Sequence, residues 1–209
     1  MPLEEFDEET FVAFTDISGF KDMMKDNGDQ AVEAMRFLYS IGYDVLQVRP
    51  SVSGLFVSDC GVLFSRDGSK SRKLTEMLDV VKQINARFLE KRLMLTTSIA
   101  WGHFSYHEMI AFNGIQKNPI YGNGYLGAFL DNWAGKPKIQ PGECRILKKN
   151  MDEIPQDVHT PFLRETRDHY QFFWNVNAPE EIPEFQRRYN DSYSLKYAGM
   201  LSALRGGMS

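Results

Sequence analysis

Phe11-Val12-Ala13-Phe14-Thr15-Asp16-Ile17-Ser18-Gly19-Phe20 is an apolar run that closes on one carboxylate and a glycine turn. Residues 11–16 predict a buried strand, and Ile17-Ser18-Gly19-Phe20 turns the chain into a helix. A second stretch has the same make-up: Gly54-Leu55-Phe56-Val57-Ser58-Asp59-Cys60-Gly61-Val62-Leu63-Phe64. It predicts a hairpin of strands 53–58 and 60–65, with Asp59 near the turn. A carboxylate among so much Phe and Val needs a partner, because an unpaired buried charge is expensive. A divalent cation shared by Asp16 and Asp59 would be such a partner.

Working outward, Val32, Met35, Leu38, Ile41 and Val45 recur at helical spacing and predict an amphipathic helix over 29–48, stopped by Pro50. Leu74, Leu78, Val81, Ile84 and Phe88 predict a second helix over 71–91. Residues 93–101 read as a strand and 102–121 as an irregular stretch. The glycine-rich Tyr121-Gly122-Asn123-Gly124-Tyr125 opens a helix near 124–133. A strand is expected at Cys144-Arg145-Ile146-Leu147 and another over 168–174. In the tail, Phe185, Tyr189, Tyr193, Tyr197, Met200 and Leu204 predict a last amphipathic helix. The order βααββαβ, followed by further elements, fits an α+β, ferredoxin-like domain: an antiparallel or mixed sheet with helices on one face. A single domain over 1–209 is expected, with a core of about 10–150 and a C-terminal extension over 151–209.

Bulk properties narrow the function classes. The chain has 209 residues, 43% hydrophobic and 25% charged, as in ordinary globular proteins. A net charge of −4 gives no footprint for nucleic-acid binding. No apolar run approaches the ~18 residues of a membrane span, and Met1-Pro2-Leu3-Glu4-Glu5 lacks a signal-peptide pattern. The two cysteines, Cys60 and Cys144, form no CxxC motif, so a reducing cytoplasmic setting is expected.

Two hard oxygen ligands suit Mg²⁺ or Mn²⁺, and such sites usually hold substrate phosphates too. Backbone amides over Ile17–Phe20 are candidates to cradle those phosphates. The alternative is plain: Asp16 caps the following helix and Asp59 is a turn residue. His103 and His107 would suit a zinc pair on a helix, but they follow a strand and Gly102 and lack a third ligand. Cys60, Cys144 and Phe14 read as core. Lys21 and Arg145 are candidate phosphate contacts, each also readable as a structural or solvated charge.

Four segments together resemble class III nucleotidyl cyclase catalytic domains. Phe14-Thr15-Asp16-Ile17-Ser18-Gly19-Phe20 looks like the first metal motif, and Ser58-Asp59 like the second. Ser98-Ile99-Ala100-Trp101-Gly102 and the Tyr121–Leu130 segment resemble the later strand and glycine-led helix. The nearest likeness is to the short bacterial Pycsar anti-phage pyrimidine cyclases. The resemblance implies cyclisation of UTP or CTP to cUMP or cCMP with two Mg²⁺ or Mn²⁺ ions held by Asp16, Asp59 and the Ile17 carbonyl. It implies nucleotide contacts from Ser18, Gly19, Phe20, Thr97 and Tyr125, with Thr96 a further candidate for the base. It also implies a cytoplasmic homodimer whose product is read by a separate effector protein, with no nucleic acid or membrane as partner. In purine cyclases a lysine precedes the second metal aspartate by four residues, where this chain has Leu55, and another base-reading polar residue stands at Pro119. The family's transition-state asparagine and arginine fall at Leu126 and Leu130. Those departures leave open a degenerate, binding-only domain or a purine cyclase with rearranged base contacts.

Overall fold

The computed structural model describes residues 4–26, 28–107, 119–151, 153–158, 163–176, 178 and 181. A single mixed sheet organises them. Its strands are β1 (Phe6–Ile17), β2 (Val52–Val57), β3 (Cys60–Ser65), β4 (Leu95–Tyr106), β5 (Ile120–Tyr121), β6 (Cys144–Leu147), β7 (Leu163–Glu165) and β8 (His169–Phe172). The spatial order is β2-β3-β1-β4-β6-β8-β7, with β5 paired to β4. Only β4 and β6 run parallel; the other pairs are antiparallel. The helices are α1 (Phe20–Asp26), α2 (Gly28–Gln47), α3 (Lys70–Glu90) and α4 (Asn123–Ala134). The expected α+β order is therefore present.

Strand β1 runs through the middle of the sheet, and its side chains divide by parity, as the period of two requires. Phe11, Ala13 and Ile17 join the larger core with α1, α2 and α3. Buried residues on α2 (Ala31, Ala34, Leu38, Ile41, Val45) and α3 (Leu74, Leu78, Val81, Phe88) recur at helical spacing and supply its other wall. Ser69 caps α3 by accepting from the Arg72 amide at 3.3 Å. Val12 and Phe14 point the other way, into a smaller core with Phe64, Ala100, Phe104 and the α4 residue Ala128. Asp16 follows the parity of Val12 and Phe14, so it opens toward the α4 side.

This corrects the expectation of helices on one face only. Helix α4 packs across β1 and β4 on the opposite face from α2 and α3. The span 102–121 also differs from its reading as irregular. Strand β4 continues to Tyr106 and β5 follows at Ile120–Tyr121, while 108–118 lie outside the described residues. The physical reason is pairing: the acid-rich start of β1, residues 6–10, lies antiparallel to 102–106, and Asp7 meets His103 at 2.9 Å. Polar residues and Gly102 hide strand character that a neighbouring strand supplies. Strand β7 was not expected, and the tail-helix expectation falls outside the described residues.

Candidate metal centre

Asp16 lies one residue from the end of β1, and three strands place its neighbours. In the pairing register Asp16 stands opposite Cys60 of β3 on one side and Thr96 of β4 on the other. Directly opposed residues share a face, so Cys60, Asp16 and Thr96 form one row beneath α4. Asp59 reaches this row from the tight β2–β3 turn, where Val57 pairs with Cys60 and Ser58 takes a φ of 54°. The Ile17 amide donates to the Asp59 carbonyl at 3.0 Å, tying the turn to the strand end.

The two carboxylates sense each other. Burial and then the Asp59 charge push Asp16 up to about 7, from an ordinary 3.8. Asp59 is exposed. Among the described residues neither aspartate has an ion-pair partner. The same burial pushes the Cys60 thiol up to about 11, with both aspartates adding, so the thiol stays protonated beside them. No cluster of three or more His, Cys, Asp or Glu side chains suited to a metal occurs among the described residues. A cation here would draw two carboxylate oxygens from the protein and complete its shell from water and ligand oxygens.

Ile17 buries its side chain in the larger core. The amides of Ile17 and Ser18 are engaged, by Asp59 and by the Met94 carbonyl at 2.9 Å. They are not free for phosphate, which narrows the expected cradle to Gly19 and Phe20. Gly19 sits at φ 78° in the turn before α1, a conformation glycine adopts without strain. Ser18 Oγ is buried with no hydrogen-bond partner among the described residues. Phe20 is buried in the core.

Tyr125, near the start of α4, is half-buried, stacks on Phe129 with centroids 6.1 Å apart, and has its phenol raised by burial and then by Cys60. The structure thus brings Tyr125 to the row that holds Asp16. Thr97 is not brought there. It is fully buried on the other face, 3.2 Å from Thr15 Oγ1 and 3.5 Å from Asn85 Nδ2. Its parity neighbour Thr96 takes the place, donating at 3.1 Å to Asn132 of α4. Asn132 in turn donates to the Phe14 carbonyl at 3.4 Å, pinning α4 to β1 two residues ahead of Asp16. Asn132 went unnoticed in the sequence because an amide on a helix gives no signal until its strand partners are known.

Arg145 is not a phosphate contact. It is 1% exposed and its guanidinium is spent on Asp131, with Nε to Oδ2 at 2.8 Å and Nη2 to Oδ1 at 3.0 Å. Lys21 is exposed on α1. Among the described residues His103 and His107 share no ion-pair or hydrogen-bond partner: His103 pairs with Asp7, and His107 Nε2 lies 3.1 Å from the Tyr121 hydroxyl. Cys144 and Phe14 are core residues as read. Leu55 is half-buried against the smaller core, and Leu126 and Leu130 are 52% and 47% exposed on α4.

Solved structures similar in fold include cyclase catalytic domains. The chain matches the adenylyl cyclase CyaB from P. aeruginosa at TM-score 0.56 and 17% identity, covering 81% of this chain and 95% of that one. The fold is that of a cyclase catalytic domain. A guanylate cyclase domain from Catenaria anguillulae, solved in complex with GTP, matches at TM-score 0.56 and 11% identity, over 81% and 96% of the two chains. The dimeric guanylyl cyclase domain of a RhoGC fusion protein from the aquatic fungus Blastocladiella emersonii matches at 0.60 and 10%, over 81% and 96%. No family model and no curated protein matches the chain. No helix among the described residues is long and apolar enough to cross a membrane.

Proposed function

We propose that the chain is a metal-dependent nucleotidyl cyclase that converts a nucleoside triphosphate, UTP or CTP, to its 3′,5′-cyclic monophosphate and pyrophosphate. One observation carries the reading: within a cyclase fold, Asp16 lies near Asp59 beneath α4 with no cationic partner among the described residues, and burial, then the Asp59 charge, lifts Asp16 to about 7. An acidic pair of this kind gains from a divalent cation and costs free energy without one.

The donor set fits Mg²⁺ or Mn²⁺, with Asp16 and Asp59 as the carboxylate ligands and the Ile17 carbonyl as a further oxygen. When bound, two such ions supply a lowered pKa for the ribose 3′-hydroxyl and neutralise charge on the departing pyrophosphate. The chain's own residues hold and orient. Asp16 must give up its proton for a cation to enter, because burial holds that proton to about pH 7. The amides of Gly19 and Phe20 would meet phosphate oxygens, supported by Ser18 Oγ, which has no hydrogen-bond partner among the described residues. Thr96 stands in the row opposite Asp16, and Tyr125 lies near its Cys60 end.

The pyrimidine choice rests on Leu55, an apolar side chain where purine cyclases resembling this chain carry a base-reading lysine. An anti-phage role, with a cytoplasmic homodimer feeding a separate effector, rests on the Pycsar resemblance. A binding-only domain is the second reading, favoured by the exposed Leu126 and Leu130 at the transition-state positions. Purified protein incubated with Mn²⁺ and each of the four ribonucleoside triphosphates, followed by mass spectrometry, decides among these. Cyclic UMP or CMP is expected, with product lost by ~100-fold or more in Asp16→Ala or Asp59→Ala. Nucleotide binding with no turnover of any triphosphate selects the second reading, and a purine product overturns the base assignment.

A further inference from the structure

A second charged feature lies on the far side of α4. Two strands beyond β1, the end of α4 meets β6, β8 and the loops around them at an open cleft of about 510 Å³. Lys136, Lys148, Lys149 and Arg167 line it and outnumber its carboxylates, the exposed Asp168 and the buried Asp131, in a chain whose net charge is −4. Lys148 has an anionic partner in Glu165 at 2.6 Å, and Arg167 only its neighbour Asp168 at 3.9 Å. Among the described residues Lys136 and Lys149 have no ion-pair partner. Like charges gathered on one concavity repel and raise the local potential, a cost that a bound anion relieves.

The floor of the cleft is fixed. Asp131 and His169 line it, both nearly buried, with His169 Nε2 at 2.8 Å from Asp131 Oδ1. Arg145 and the Ser98 hydroxyl, the latter at 2.8 Å, saturate the same carboxylate, so Asp131 adds little free negative charge to the cleft. Its carboxyl accordingly lies below the usual value: burial alone would raise it, but the His169 and Arg145 hydrogen bonds, the Arg145 charge and Ser98 outweigh burial.

The cations ride on backbone tied to this floor. Arg145 Nη1 donates to the Pro137 carbonyl at 2.7 Å, fixing the segment that carries Lys136. The Lys148 amide donates to the Asp168 carbonyl at 3.0 Å, and Thr166 and His169 close the turn that carries Arg167. Carriers held in advance reduce the ordering cost of binding.

We propose that this cleft is a binding site for a small multivalent anion of phosphate or carboxylate chemistry, separate from the Asp16–Asp59 pair. It stands whether or not the chain is a cyclase, and its test uses no turnover. Protein stripped of metal on a chelating resin is titrated calorimetrically, in low salt, with pyrophosphate in one arm and citrate in the other. Saturable binding of one anion per chain is expected, weakened ~10-fold or more in Lys136→Gln/Lys149→Gln/Arg167→Gln, where one lost charge contact accounts for ~1 kcal/mol. These side chains are exposed, so circular dichroism should show the variant folded. Asp16→Asn should bind as the wild type does, which separates the cleft from the carboxylate pair. Binding in the pyrophosphate arm alone assigns phosphate chemistry, and binding in both assigns recognition by charge; either supports the site. Absence of saturable binding in both arms, or binding that the triple variant leaves intact, overturns it.

Discussion

At the scale of single residues, Asp16 carries the most consequential physics. Its folded pKa of about 7 stands well above the ordinary 3.8, with burial first and Asp59 second among the causes. Below pH 4 the group is neutral folded or unfolded and contributes nothing to the pH dependence. Between about 4 and 7 the unfolded chain releases this proton while the folded chain keeps it, so stability declines as pH rises, and above 7 the whole penalty stands. Metal-free Asp16→Asn should therefore melt above wild type at pH 8, by about 2–4 °C, with the gain vanishing near pH 4. Differential scanning fluorimetry across that range is the measurement, and a gain independent of pH would sink the account. Both aspartates were legible in the sequence because a lone carboxylate interrupts an apolar run. Thr97 and Thr96 were not separable there. One position of strand parity decides which of two adjacent threonines faces Asp16, and parity is known only once register is fixed.

At the scale of elements, the seat of α4 on β4 explains why three glycines cluster there. A Cβ on Gly102 would lie 2.8 Å from the Gly124 amide nitrogen and 3.0 Å from its Cα, both backbone atoms. Neither can rotate away. Gly102→Ala should push the start of α4 off the sheet and cost about 1–3 kcal/mol, read by urea denaturation; a stability unchanged within error would show that the helix seat is loose. The other end of α4 is fixed by charge. Asp131→Ala would leave the Arg145 guanidinium buried without its counter-ion, a loss of about 3–5 kcal/mol. The paired change Asp131→Leu/Arg145→Met should recover much of that, and a double variant as unstable as the single would argue against ion burial as the cause. Helices α2 and α3 were legible from periodic apolar residues, and α4 from the glycine-rich element that opens it. The face that α4 covers was not, because periodicity marks which side of a helix is buried without saying against what. Likewise, Arg145 in an apolar strand signals a buried partner, but Asp131 and His169 are its partners only through packing.

At the scale of the whole molecule, the order of elements announced the fold, and the proposed cyclase reading makes a test of assembly. Leu126, Leu130 and Trp133 stand at helical spacing on the outer side of α4, exposed by 52%, 47% and 73%. An apolar stripe of that size beside a candidate active centre is costly to leave in water, at about 25 cal/mol per Å². Among the described residues no cation pairs with the two carboxylates. On the proposed cyclase reading, a second copy laid on α4 would cover the stripe and supply the opposing wall. Leu126→Glu/Leu130→Glu places charges on that stripe without touching the buried side of the helix, so the monomer should fold and melt within about 1 kcal/mol of wild type. Light scattering should show the wild type as a dimer and the variant as a monomer, and cyclase turnover should fall together with the dimer. A wild type that stays monomeric at enzyme concentrations and turns over fully would show that one subunit suffices, and the stripe would then have no part in the site.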